Sequence, residues 1–183
     1  MRILFLGDVV GISGCSKILN NLKAEIKKKN INFVIVNGEN SAEPGVGLTS
    51  EICNDFFNCG VNVITTGNHV WDQKEIVSFI DKENRLLRPH NLFEPSPGKG
   101  FEIYEDSNNF KIGVLNLMGN VFMKKCEDVF DTSKKFLKSY QLKEDYDLLV
   151  VDFHGEITSE KNAIGHFFDG KATLVVGTHT HIP

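Results

Sequence analysis

Short runs of β-branched and other apolar residues recur along the chain, separated by longer stretches in which apolar positions return every three or four residues. The pattern predicts a strand over 2–6 and then a helix over 16–29. In that helix Ile18, Leu19, Leu22 and Ile26 share one face, and Lys23, Lys27 and Lys28 take the other. A strand over 33–36, a helix over 50–59 that Thr49 or Ser50 can cap, and a strand over 61–65 follow. A third helix is expected over 73–82, with Asp72 as its cap. The rhythm then changes: 101–104 and 111–117 flank a Glu-Asp-Ser-Asn-Asn segment, the signature of an antiparallel hairpin. Helix (127–142), strand (148–151), helix (158–168) and strand (174–176) complete the chain. Unbroken apolar strands alternating with helices imply an α/β domain whose mostly parallel sheet is covered on both faces. The hairpin adds a second sheet or an antiparallel edge. With no repeat, linker or low-complexity tract, residues 1–183 are expected to form one domain.

Composition removes several classes of function. Lys plus Arg total 20 against 24 Asp plus Glu, so no cationic surplus exists to follow the backbone of a nucleic-acid duplex. The longest apolar runs hold four residues, far below the roughly 20 that a spanning helix needs. The N-terminal run stops at Gly7-Asp8, unlike a signal peptide, and a cytoplasmic location is expected. Cys15, Cys53, Cys59 and Cys126 form no CxxC pair and are expected as reduced, mostly buried thiols.

The chemistry lies where the strands end. Ligands of open α/β sheets bind beyond the carboxyl ends of the strands, and the residues there are Gly7-Asp8, then Asn37-Gly38-Glu39-Asn40, then Gly67-Asn68-His69, then Asp152-Phe153-His154-Gly155-Glu156, then Gly177-Thr178-His179-Thr180-His181. Four of the six histidines fall in these segments. Singly, each is weak: a strand-end Asp or Asn is commonly a turn former or helix cap. Together, carboxylate, carboxamide and imidazole donors without thiolate suit manganese, iron or zinc in a reactive site rather than a structural zinc. Seven ligands exceed the needs of one ion and suit two that share a carboxylate, the recurring arrangement for in-line attack on phosphate esters.

These blocks, in this order, resemble the signatures of the calcineurin-like metallophosphoesterases. More narrowly they are similar to the YmdB-like branch, bacterial phosphodiesterases acting on 2′,3′-cyclic nucleotides and related phosphodiesters. The closer likeness rests on Gly7-Asp8-Val9-Val10-Gly11, Asn37-Gly38-Glu39-Asn40, Gly67-Asn68-His69-Val70-Trp71-Asp72, Leu87-Arg88-Pro89, Asp152-Phe153-His154 and Thr158-Ser159-Glu160-Lys161. Val10 and Glu39 stand where the wider superfamily has His and Asp, a difference that characterises the narrower branch. The resemblance implies a four-layer α/β/β/α sandwich. It also implies two divalent or mixed-valence ions, iron or manganese before zinc. Asp8, Asn40 and His181 would hold one, Asn68, His154 and His179 the other, and Glu39 would bridge them. His69 would give the leaving oxygen its proton after a metal-bridging hydroxide attacks phosphorus. The implied substrate is a 2′,3′-cyclic nucleotide or related phosphodiester.

The other polar residues of these blocks read less distinctly. Arg88, before a proline, suits a structural role better than a phosphate contact. Trp71 is expected to anchor the helix after Asn68. Glu156 suits either an orienting partner for His154 or a helix cap, and His90 and His166 are expected as surface or helix residues. The sequence ends two residues beyond His181, whereas the resembling family continues with further strands of the second sheet. A second sheet lacking part of the family domain is therefore expected. With it come two alternatives to an active enzyme: an inactive truncated relic, or a metal- or phosphate-binding regulatory protein. A neighbouring copy in a homo-oligomer would be another source of the missing support.

Overall fold

The first apolar run forms β1 (Ile3–Leu6), and β2 (Phe33–Asn37), β3 (Val63–Thr65) and the two-residue β4 (Leu86–Leu87) add to it in that order, all parallel. The computed structural model describes residues 1–106 and 108–182; Ser107, inside the predicted hairpin loop, and Pro183 lie outside the described residues. Helix α1 (Gly11–Lys29) links β1 to β2, and α2 (Ser50–Cys59) links β2 to β3. The Thr49 hydroxyl accepts the Ile52 N–H at 3.2 Å and so caps α2, as expected. Lys27, Lys28 and Lys29 complement the carbonyl end of α1, which stops at Asn30 in the left-handed region.

Two expectations fail here. Helix α1 begins at Gly11, not residue 16, because tertiary contacts override weak local propensity. Cys15 is buried with its thiol on the Ser41 carbonyl, and the Gly11 N–H donates to the Asn40 carbonyl at 2.8 Å. The helix expected over 73–82 shrinks to a single turn, α3 (Ile76–Phe79), and Asp72 caps nothing. Its carboxylate is engaged by His69 Nδ1 (2.5 Å) and by Lys124 Nζ (3.2 Å) instead.

The second half builds its own sheet. Strand β5 (Phe101–Glu105) pairs antiparallel with β6 (Lys111–Met118), as the hairpin signature predicts, and β7 (Leu148–His154) and β8 (Leu174–Thr178) continue the sheet in parallel. Helix α4 (Val129–Ser139), capped by the Asp128 side chain, joins β6 to β7; α5 (Thr158–Phe167) joins β7 to β8.

Alternation along the strands then dictates four layers. In β2, Val34 and Val36 face Ile18, Leu22, Cys53 and Phe56 of the helices, while Phe33 and Ile35 face the other way. In β7, Leu149, Val151 and Phe153 meet Phe136, Ile164 and Phe168, while Leu148 and Val150 face inward. The inward sets meet in a central core completed by Val63, Leu87, Ile112 and Val114. The architecture is the expected α/β/β/α sandwich. Each buried Leu, Ile, Val or Phe contributes about 1.5–3 kcal/mol of transfer free energy. The consequence for function is geometric: the parallel strands of both sheets deliver their carboxyl ends to one edge, with Leu6 beside Val36, Asn37 beside Thr65, and Met118 beside His154 beside Thr178.

Candidate metal centre

At that edge the first sheet presents Asp8 beyond β1, Glu39 and Asn40 beyond β2, and Asn68 and His69 beyond β3. The second presents His154, the last residue of β7, and His179 and His181 beyond β8. All seven sequence-derived ligand candidates converge although they span positions 8 to 181. Glu39, with no solvent exposure, stands at the centre. Its Oε1 lies 2.9 Å from His154 Nε2 and 3.2 Å from Asn40 Nδ2, and its Oε2 accepts the His69 N–H at 3.1 Å. On one side His154 Nε2 lies 3.0 Å from Asn68 Oδ1 and 3.1 Å from His179 Nδ1. On the other, His181 Nε2 lies 3.3 Å from Asn40 Nδ2 and 3.2 Å from Asp8 Oδ2.

Donor chemistry shows that this cluster suits cations. His154 Nδ1 lies 2.9 Å from Thr178 Oγ1, and that hydroxyl gives its only proton to Asp152 Oδ1 at 2.7 Å. Thr178 must therefore accept, which fixes the proton on His154 Nδ1 and directs Nε2 at Glu39 Oε1, Asn68 Oδ1 and His179 Nδ1. A lone pair there would face other lone pairs, so Nε2 needs either a proton or a metal ion. Burial disfavours charge on His154, yet the bond and attraction to Glu39 outweigh it and the imidazole is held above its ordinary value. For Glu39, burial opposes ionisation and the contacts with His154 and His69 reverse it, so its carboxyl is held down. His179 is pushed down by burial and by its neighbour His154. In the other group Asp8 Oδ1 is buried with no hydrogen-bond partner among the described residues, although Oδ2 accepts the His179 N–H at 2.9 Å. An orphaned carboxylate oxygen is costly unless something cationic meets it.

The supporting residues were largely hidden from sequence reading. Asp152, fully buried and pushed by that burial up to about 6, gathers Thr65, Thr178 and Asn37 through hydrogen bonds of 2.5–2.9 Å. Asn37 thus braces the network behind His154. Its placement just before Glu39 was the only signal in the sequence. Glu156 lies 3.0 Å from His179 Nε2, so the residue it orients is His179 and not His154. Lys161 reaches Thr180 at 2.8 Å, tethering the His-x-His turn, whose His179 and His181 both have positive φ. Arg88 is buried and spends its guanidinium on Glu94 and on the carbonyls of Pro89, Ser96 and Pro97, a structural role as expected. Trp71 packs against the first helical core. His166 is exposed on α5, whereas His90 lies in a turn and packs half-buried against Phe136.

Gly67 has a steric reason to be glycine. A Cβ there would stand 2.2 Å from His154 Cδ2 and 2.4 Å from Glu39 Oε2. Gly67→Ala is expected to displace both side chains and to cost about 1–3 kcal/mol of stability. Elemental analysis of the variant should find markedly less bound metal, and denaturant titration should find a lower midpoint; normal metal content would show that the crowding is relieved elsewhere.

Comparison with known proteins agrees with the fold. The profile of the YmdB-like protein family matches residues 4–183. A Bacillus subtilis protein named 2′,3′-cyclic-nucleotide 2′-phosphodiesterase is 42% identical over 182 residues, covering all of this chain and 67% of its own length. A putative phosphatase/phosphodiesterase of Mycoplasma pneumoniae is 41% identical over 189 residues, with 65% of its length covered. Among solved structures, a hypothetical protein from Thermus thermophilus superposes with a TM-score of 0.90 at 35% identity, and a novel phosphatase of Mycoplasma pneumoniae with 0.89 at 39%. Both superpositions cover the whole of this chain, and 69% and 65% of those proteins. The chain therefore spans about two thirds of the length of the relatives it matches.

Proposed function

This chain belongs to the YmdB-like family, and from that premise we propose that it is a two-metal phosphodiesterase hydrolysing 2′,3′-cyclic nucleotides or closely related phosphodiesters. In this reading residues 1–183 act as one metallophosphoesterase domain. The single observation that carries the proposal is the grouping of ligands about Glu39: Asp8, Asn40 and His181 on one side, Asn68, His154 and His179 on the other. Each set would hold one ion, and Glu39 would serve both. Bound there, two such ions would supply a water-derived nucleophile at neutral pH and neutralise charge building on the phosphoryl oxygens. The oxygen and imidazole donors favour manganese or iron. Four free cysteines suit a reducing compartment, here the cytoplasm. Among the described residues no helix is long and apolar enough to cross a membrane.

The chain's own residues then have separable tasks. Glu39 carries the negative charge that offsets both cations. Asp152 and Thr178 lock the His154 tautomer, the arrangement that raises the basicity of a ligating imidazole. His69 holds Asp72 through Nδ1, leaving Nε2 as the nitrogen able to pass a proton to the leaving oxygen. Lys124 holds the other oxygen of Asp72, so the pair fixes the imidazole plane.

The test is direct. The purified chain, loaded with Mn²⁺, should bind two ions and hydrolyse 2′,3′-cyclic nucleotides to nucleoside monophosphates. Two bound ions without turnover would favour the regulatory alternative, and no stoichiometric metal would remove the whole reading. Chelation should lower the melting temperature markedly. Ions linking loops from both sheets bind the folded state and hardly the unfolded one, contributing about 2.7 kcal/mol when free metal exceeds Kd a hundredfold. A thermal melt unchanged by chelator would contradict tight binding.

A further inference from the structure

The segment between β6 and α4 has a construction that the metal chemistry does not require. It leaves β6 at Gly119, whose N–H donates to the His154 carbonyl at 2.9 Å. The buried Glu160 carboxylate then accepts the N–H groups of Asn120 (2.8 Å) and Val121 (3.4 Å). The Asn120 side chain closes the loop, donating to the Glu127 carbonyl at 3.0 Å and accepting the Val129 N–H at 2.9 Å. Both ends are thus pinned. Between them the chain turns outward at Phe122, which sits at φ 61°, a region unfavourable for a side chain of that bulk, and is 82% exposed. Val121 beside it is 45% exposed. Two residues further on, Lys124 returns to the site through its ion pair with Asp72, the partner of His69.

An aromatic ring held in water, in a strained backbone conformation, by a braced loop is an expensive arrangement for a surface residue. Strain of this kind collects where function needs it. Here the loop is anchored on one side to the residue bearing a proposed metal ligand and on the other to the partner of the proposed proton donor. A leaving oxygen that meets His69 lies beside the His69–Asp72–Lys124 chain of contacts, on the side of the site where this loop comes in. A nucleotide carries a flat base, and base stacking on an aromatic face is the sequence-tolerant way to hold one.

We propose that Phe122 is the platform on which the nucleobase of the substrate stacks, and that the 119–128 loop is built to present it. The inference rests on the phosphodiesterase reading and deepens it by making the base a recognised part of the substrate. Phe122 is a binding residue and takes no part in the proton transfer.

The test compares a purine 2′,3′-cyclic nucleotide with glycerol 1,2-cyclic phosphate, which carries the same type of cyclic diester and no base. In the metal-loaded chain Phe122→Ala should lower kcat/KM for the nucleotide by about 5- to 150-fold, chiefly through KM, and leave the glycerol diester unchanged. Phe122→Tyr should restore the nucleotide rate. Phe122→Trp gives a readout independent of turnover: its added fluorescence should be quenched by a nucleoside monophosphate and not by glycerol phosphate, against an unaltered chain whose one tryptophan is Trp71. Equal losses on both diesters would mean a structural role for Phe122 and would overturn the proposal, as would an unchanged nucleotide rate with no quenching. If the unaltered chain hydrolyses neither diester, the phosphodiesterase reading fails. Quenching by the mononucleotide alone would still support the stacking platform, and its absence would overturn that too.

Discussion

Replacing Glu39 by alanine is expected to abolish binding of the metal pair rather than to weaken one site. Its two oxygens engage His154, Asn40 and the His69 N–H, so its loss touches both ligand groups at once. Without the shared carboxylate, two dications roughly 3.5–4 Å apart would repel with no intervening anion in a buried setting of reduced dielectric. Glu39 is also fully buried against His154 Nε2 at 2.9 Å, so removing it leaves that buried nitrogen without its carboxylate partner and costs about 3–5 kcal/mol in the metal-free protein. Elemental analysis and a metal-free denaturation curve read the two effects separately. Two ions per chain retained in Glu39→Ala would show that the carboxylate does not bridge.

His69→Ala is expected to keep its metal and lose about 10²- to 10⁴-fold in turnover of cyclic nucleotides. The side chain of His69 meets Asp72, not the ligands; only its backbone N–H touches Glu39. The informative readout is the dependence on leaving group. A p-nitrophenolate departs without help, so the defect should shrink on bis-p-nitrophenyl phosphate and be largest on ribose esters. A uniform defect across leaving groups would make His69 a positioning residue, and loss of metal would make it a ligand.

How much of this was legible in the sequence depends on what each residue answers to. Strand runs such as 33–36 and 148–151 are buried on both faces, so they stand out as unbroken apolar segments, and the ligands stand out because they follow those runs. The four-layer stacking needed more: whether Ile35 meets a helix or Ile112 of another sheet is not written in period or composition. The short β4 and the early start of α1 were missed because tertiary contacts, not local preference, create them. Asp72 misled for a physical reason. A carboxylate before a helical pattern has two uses, capping free N–H groups or holding a charged neighbour, and only position in space shows that His69 and Lys124 claim it. Asp152 was visible as a strand-end acid, but its service to Thr178, and through that hydroxyl to the tautomer of His154, required knowing that β7 and β8 are adjacent with His154 opposite Thr178.

The division of ligands between the two sheets has a mechanical meaning. Among the seven candidate ligands one sheet offers carboxylates and carboxamides, Asp8, Glu39, Asn40 and Asn68; the other offers imidazoles, His154, His179 and His181. Neither half of the sandwich can assemble the set alone, and between them lies an apolar core that has no directional preference of its own. Contacts such as Glu39–His154 and Asp8–His181 run from one sheet to the other, so a slide of one sheet over the other would break them together. The polar edge therefore acts as a vernier: its directional contacts single out one sheet-to-sheet offset and add to the close packing of the core.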